Sequence, residues 1–465
     1  MKSKWIGTKM IGLLIAAVMV VTTTGCGANN DNEAGSSTNT DNKVAETSAA
    51  PTETPVKEEE KQEPVTIKVF MGSKDVENLS QKKLREDFKA ETGITVEPVI
   101  LPQDDKFKKI DIAMTTGDDT DVIGIDNPTV QSKYEANGWL LPLDDMVKEF
   151  NYDVETIHGK YISRHDAKLY TMPVMASSWA VFYNKKVFDD AKVPYPKGAW
   201  TWDQYIETAK KLTNKDKGIY GSYMLDYDVY MYMIARQNEV SGYKADGTSN
   251  YDDPAFKASL QFFGDLGNTH KIQPSWLEFK TKKLAWDGFA SGKYGMHVIG
   301  SWYFGVFTDK KNYPIDWKWG ITQMPTDGKG NNNFGVSSGM AINKNAAHPK
   351  EAFKYIQFAA MNNYKYTNQL PARVDLSAAE LSSVFQSISD STGGDVTVED
   401  STNALVTNGL GFVQEKLVGA ASEQYSKIIL EESEKYLVGQ QSIDQAVAAI
   451  KKRADEAIKN EANNK

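Results

Sequence analysis

Cysteine is almost missing from this chain. Cys26 is the sole thiol, so no disulfide can form within it. Histidine is nearly as scarce: His158, His165, His270, His297 and His348 show neither an H-E-x-x-H pair nor any other paired-ligand spacing, which argues against a zinc site. Positive charge is in deficit, with 53 Lys and Arg against 62 Asp and Glu, for a formal charge of −9. Nucleic acid and anionic lipid both select clustered Lys and Arg, so neither is expected as the main partner. Beyond the first 21 residues there is no long apolar run and no internal repeat. What is present is length, 465 residues, enough for two domains, and aromatic side chains.

The N-terminus explains the cysteine. Lys2, Lys4 and Lys9 precede an apolar segment, Met10–Val21, which is interrupted by Gly12 and followed by Thr22-Thr23-Thr24-Gly25-Cys26. A helical span needs about 20 apolar residues, more than this run supplies. The arrangement resembles a bacterial lipoprotein signal peptide, with Thr23 where that pattern usually has Leu. The resemblance implies cleavage before Cys26 and lipidation of its thiol, hence a lipid-anchored protein on the extracytoplasmic face of the cell membrane. An ordinary signal peptide or a membrane helix is the alternative. Loss of the three leader lysines takes the charge from −9 to about −12. Residues 27–64 are Asn, Asp, Ser, Thr, Glu, Ala and Pro with almost no large apolar side chain; such a composition cannot offset chain entropy and predicts a disordered tether. The first two divisions are therefore 1–25, leader, and 26–64, tether.

The folded part begins at Val65. Thr66–Met71, Ile94–Leu101 and Asp121–Ile125 read as strands. A helix capped by Ser80 and a helix over Phe107–Met114 separate them. Alternating strand and helix predicts an α/β fold with a largely parallel sheet. Leu169–Pro173 is a short segment that ends in proline, and Ser177–Tyr183 reads as a further strand. Thr201 and Gln204 form a T-x-x-Q capping box, Met224–Gln237 is helical, and Asp253-Pro254 opens another helix. Ser291-Gly292-Lys293 is a turn, Tyr294–Ile299 a buried strand, and Gly300 a point of close approach. Ser301 is a candidate N-cap for a helix carrying Trp302 in its first turn. A flat ring just past a strand's C-terminal end is placed where open α/β sheets bind ligands.

Several motifs together resemble the extracellular solute-binding proteins of bacterial sugar ABC importers, the maltodextrin-binding-protein-like family. They are Tyr183-Asn184-Lys185 after an aromatic strand, Trp200-Thr201-Trp202-Asp203 and Phe289-x-x-Gly292-Lys293 with Met296. Gly300-x-Trp302, Gly339-Met340-Ala341-Ile342-Asn343-Lys344 and His348-Pro349-x-x-Ala352-Phe353 complete the series. The similarity runs from about Val65 to the C-terminus. It implies a two-lobe periplasmic-binding-protein fold with a hinge of three crossings and a ligand cleft between the lobes. Crossings are expected near Pro173–Ser177, Asn332–Gly335 and Pro371–Arg373. Lobe one would then be 65–175 and 333–372, and lobe two 176–332 and 373–465. It also implies a monomer that captures a carbohydrate, in particular an oligosaccharide, and delivers it to ABC permease subunits, with no cofactor and no catalysis.

A sugar needs flat aromatics for its ring face and carboxylates, amides or guanidinium groups for its hydroxyls. Trp302 is the leading stacking candidate on the resemblance, and Trp179, just past the first crossing, is the second; a core role is the alternative for each. Asp126 follows a strand end, where it could bind hydroxyls or cap a helix. Asp226 and Asp228 fall where the family places ligand contacts, with a helix-start role as the alternative. Arg373 at the last crossing could reach the cleft or brace the hinge, and Lys74 after the first strand could reach ligand or be a surface lysine. Gly335-Val336-Ser337-Ser338-Gly339 matches a hydrolase elbow in letters, but such an elbow needs a strand before it and a helix after. Here Asn331-Asn332-Asn333 precedes it and the strand-like Met340-Ala341-Ile342 follows, so a small-residue hinge fits better. Two rival readings share these features: a binding protein for a non-sugar solute, and a tethered glycan-cleaving enzyme that would need a carboxylate pair.

Overall fold

The computed structural model describes residues 64–165, 167–224, 227–328, 334–406 and 412–463. The leader, Cys26 and the tether lie outside the described residues. Twelve strands follow in order: β1 (Thr66–Gly72), β2 (Thr95–Leu101), β3 (Val122–Ile125), β4 (Arg164–His165), β5 (Lys168–Leu169), β6 (Thr171–Asn184), β7 (Tyr220–Tyr223), β8 (Tyr294–Gly300), β9 (Trp319–Gln323), β10 (Phe334–Ile342), β11 (Leu370–Pro371) and β12 (Val413–Gln414). Strands β4 and β5 form a small separate hairpin. The others make one continuous path, β2-β1-β3-β10-β6-β8-β7, with β9 and β11 also on β6 and β12 on β10.

The sheet is mixed, which corrects the expectation of a largely parallel one. Strands β1, β2 and β3 are parallel as the strand–helix alternation requires. Strand β10, however, returns from far along the chain and lies antiparallel to both β3 and β6, and β6 is antiparallel to β8 and β9. Local pattern reports alternation, not the direction of a strand that arrives late.

Strand β6 is the axis of the molecule. The strand expected over Ser177–Tyr183 starts earlier: Pro173 lies within the same 14-residue strand, Thr171–Asn184. Up to Ser178 it pairs with β10, and from Trp179 onward with β8 and β9. Two apolar cores follow this change of partner. One contains β1, β2, the first part of β6 and the helix Pro349–Asn362; the other gathers Trp179–Tyr183, β8, β9 and the C-terminal helices Ser422–Leu437 and Ile443–Asn463. A further small core lies under β3 on the first side. Three chain segments run side by side at the junction. In β10, Gly335 pairs with Ser178 and Ser338 with Met175; in β11, Leu370 pairs with Ala176 and Pro371 with Met175. A Cβ at Gly335 would collide with the Ser177 carbonyl oxygen, and one at Gly339 with that of Met172. The G-x-S-x-G letters are thus two close approaches inside a strand, at the register shift between Ser338 and Gly339.

Local chemistry explains most element ends. Thr201 and Gln204 form the capping box, Asp253 caps with Pro254 at the first helical position, and Gly93 closes the helix Leu79–Thr92 at φ 76°. That helix is capped by Asn78, whose side chain accepts from the Ser80 and Gln81 amides, and not by Ser80. The segment expected as a helix over Met224–Gln237 is broken: a 3-10 turn, Asp228–Met231, precedes the short helix Met233–Gln237. After β8, Gly300 and not Ser301 is the N-cap, and Ser301–Tyr303 is a 3-10 turn before the helix Phe304–Thr308. Gly300 is required by close approach, because a Cβ there would sit inside the ring of Trp302.

Candidate functional site

A cleft of about 480 Å³ opens where β1, β3, β6 and β10 end or change partner, within the usual range for a small-molecule site. One wall is polar and follows the C-terminal ends of the parallel strands: Asp75 after β1, Gln103 and Lys106 after β2, Asp126 after β3, with Gln81 from the next helix. The facing wall carries two aromatic rings, Tyr227 and Trp302. The floor is made by the crossing strands, through Met175 and Ser177 of β6 and Ser338-Gly339-Met340 of β10.

Asp126 presents its carboxylate to this space because its neighbour does the capping. The Asn127 side chain accepts from the Thr129 and Val130 amides at the start of the helix Pro128–Ala136. Asp126 instead receives the Lys106 ammonium, at 3.3 and 3.4 Å from its two oxygens. The carboxylate is half exposed, yet the cleft walls desolvate it. That desolvation raises its pKa, opposed by Lys106 and reinforced by the nearby Asp75.

Trp302 is half-buried and packs roughly perpendicular to Trp179 and Tyr227, at centroid distances of 5.9 and 6.2 Å and interplanar angles of 87° and 72°. Trp179 itself is fully buried. Tyr227, Tyr230, Trp302 and Phe334 surround its ring, and its Nε1–H donates to Glu415 at 2.5 Å. It supports the platform and offers no free face to the cleft. Asp228 also points away, accepting from Lys416 at 2.7 Å and from the Tyr232 hydroxyl at 2.9 Å. Asp226 lies outside the described residues. Arg373 braces the third crossing: it forks onto Asp375 at 2.9 and 2.7 Å and donates to the Met361 carbonyl. Lys74 is exposed in the first turn after β1; its backbone N–H bonds the Gln103 side chain, and it does not line the cleft.

Of the residues singled out in the sequence, the structure brings Trp302 and Asp126 together across one cleft, with Trp179 behind the first. Tyr227, Asp75, Gln81, Gln103 and Lys106 were not singled out. A usable signal existed for three of them, since each follows the end of a parallel strand on the ligand side of the sheet. Tyr227 had none, because it lies in an irregular turn.

A larger groove of about 680 Å³ lies between the helix Pro128–Ala136 and the two C-terminal helices. No aromatic ring is among its described lining residues, and Lys133 within it is bonded to Asp111 and Glu423 at 2.6 and 2.9 Å. Its charges answer one another, so it lacks the chemistry of the cleft. His158 and His297 are buried and bonded to the carbonyls of Ala372 and Tyr223. Among the described residues no group of three His, Cys, Asp or Glu is placed to hold a metal ion, and no helix is long and apolar enough to cross a membrane.

The fold is that of an ABC substrate-binding protein from Listeria monocytogenes in complex with cycloalternan: TM-score 0.71 and 22% identity, covering 85% of this chain and 100% of that one. The sn-glycerol-3-phosphate-binding periplasmic protein of Agrobacterium fabrum is 24% identical over 365 residues, 71% of this chain and 77% of that one. The arabinooligosaccharide-binding protein of Halalkalibacterium halodurans is 25% identical over 178 residues, 37% of this chain and 38% of that one. Residues 74–363 match the family model for bacterial extracellular solute-binding proteins. A cleft where the sheet changes partner, closed by two cores and crossed by three strands, is the architecture of a two-lobe binding protein, and the chain belongs to the bacterial extracellular solute-binding proteins.

Proposed function

We propose that this protein captures a neutral carbohydrate, an oligosaccharide, and delivers it to the permease of an ABC importer. The observation that carries the reading is the charge of the cleft. Among the described lining residues Lys106 is the one cation, and it is bonded to Asp126, while Asp75 adds a further acid. A phosphate ester or a carboxylate ligand would meet net negative charge with no free donor cation. A neutral sugar would meet hydroxyl partners on one wall and a ring platform on the other. The oligosaccharide named for the Halalkalibacterium relative and the cycloalternan of the Listeria structure support this class; the glycerol phosphate named for the Agrobacterium relative does not match this charge.

Lobe one is then 65–175 and 333–372, and lobe two 176–332 and 373–465, consistent with the partner change of β6 between Ser178 and Trp179. Polar half-site and aromatic half-site fall on different lobes, so ligand that touches both favours the closed arrangement by differential affinity. Inverting a 1:99 equilibrium takes about 5.5 kcal/mol of such difference. The protein acts as a monomer and without catalysis.

Thermal melting across arabino- and malto-oligosaccharides, sn-glycerol-3-phosphate and amino acids tests the ligand class. A cognate saccharide at 100 times its Kd adds about 2.7 kcal/mol of stability; the phosphate and amino acids should add nothing. A shift with the phosphate alone, or release of shortened sugars during the incubation, would overturn the reading in favour of one of its rivals.

Anchoring rests on the basic leader, the apolar segment and Cys26. Full-length protein should partition with membranes and take up labelled fatty acid, and Cys26→Ser should release it to the medium; retention of the serine variant would exclude a lipid anchor.

A further inference from the structure

We infer that Glu415 is the positioning residue of the aromatic platform, holding Trp179 and Tyr227, and through their rings Trp302, in the orientation presented to the cleft. The inference rests on the carbohydrate reading only for what the platform binds. Glu415 does not line the cleft and is fully buried. A carboxylate in such a place is costly unless its oxygens are answered. The donors that answer them are the polar atoms of the platform's own supports: Trp179 Nε1–H at 2.5 Å to one oxygen and Tyr227 O–H at 2.6 Å to the other. One buried carboxylate therefore ties the polar ends of two rings to a single point, and adds a direction and a distance to what apolar packing holds. Those rings lie nearly parallel, 5.9 Å apart at 19°, and Trp302 packs roughly perpendicular to both.

A second contact holds the Tyr227 ring. The Lys416 ammonium lies 4.2 Å from its ring centroid and is held there by Asp228, a cation–π contact in a desolvated place. The segment bearing these residues is tied to a crossing strand. The Glu415 N–H donates to the Gly335 carbonyl at 2.8 Å, β12 pairs with β10, and the Arg236 guanidinium donates twice to the Gln414 carbonyl. Platform orientation and hinge strand thus share one anchor.

Glu415→Gln tests this. A glutamine keeps one acceptor oxygen but turns an NH2 group toward the second donor, so one of the two bonds must fail. The mature protein labelled with 5-fluorotryptophan, with resonances assigned by single Trp→Phe changes, is compared without ligand. The Trp179 and Trp302 resonances should both move, while those of Trp139, Trp276 and Trp317 stay in place. A Trp302 resonance that does not move overturns the inference, and so does movement of all of them, which would mean a general loss of structure. Should the glutamine variant fail to fold, Tyr227→Phe removes one of the two bonds and carries the same expectation. In the second arm, the saccharide giving the largest melting shift in the panel above should bind Glu415→Gln about 10-fold more weakly. Adding Tyr227→Phe should cost less than the product of the two single losses, because both act through one bond. The fluorine arm needs no ligand, so it decides the positioning role even if no saccharide binds and the carbohydrate reading falls.

Discussion

Trp302→Ala is expected to weaken saccharide binding by ~30- to 150-fold while the unliganded protein stays folded. An aromatic side chain carries 150–250 Å² of surface, and about half of it facing a sugar corresponds to roughly 2–3 kcal/mol at the usual transfer coefficient. The loss falls on binding more than on folding, because Trp302 is only half-buried and stands on Trp179 and Tyr227 rather than beneath them. Trp302→Phe keeps a flat face and should lose much less. Titration calorimetry with the saccharide found by melting measures the difference, and circular dichroism checks the fold. An alanine variant of unchanged affinity would mean that Trp302 is packing alone, and the sugar would have to be held by the polar wall. The same substitution separates the two halves of the site: Asp126 and Lys106 lie on other elements and keep their mutual bond whether or not the ring is present.

Much of this site was legible because its parts are local. A strand end followed by Asp126, a turn at Ser291-Gly292-Lys293 and a buried run into Gly300 each speak through neighbouring residues, as do the Thr201 and Asp253 caps. The misreadings are instructive in the same terms. Ser80 and Ser301 are good cap residues by type, but Asn78 and Gly300 stand where the backbone turns. Asp126 could be freed for the cleft only because Asn127 caps, a choice between two adjacent residues that both suit the role. Direction in the sheet and the support of the platform are of another kind. Strand β10 meets β3 across more than half of the folded chain, and Trp179 meets Glu415 over a separation of 236 residues. No periodicity or cap encodes such pairings, and Trp179, for which the sequence left stacking and core roles open, is the buried post on which the half-buried Trp302 stands.

Lys416→Met is expected to destabilise the protein by about 3–5 kcal/mol, the cost of leaving a buried charge without its partner. The Lys416 and Asp228 side chains are only 8% and 11% exposed and bond at 2.7 Å, and fully buried Glu415 immediately precedes Lys416 in sequence. Methionine preserves most of the side-chain volume, so the loss reports charge and not a cavity. Lys416→Met with Asp228→Asn should recover a large part of it, because the orphaned carboxylate is then neutral. The deficit should also depend on pH. Burial raises the Glu415 carboxyl above its ordinary 4.5, and Lys416 is the largest influence opposing that rise. An acid whose folded pKa lies above its unfolded one contributes stability that is full below the unfolded value and is lost as pH rises through the folded value. Removing Lys416 pushes the folded value higher and widens that loss. The variant should therefore fall further behind the wild type at pH 8 than at pH 5, read by urea unfolding at the two values. An equal deficit at both would show that Lys416 contributes packing over the Tyr227 ring and does not set the charge balance of the cluster. A smaller deficit at pH 5 would place that balance directly beneath the sugar platform.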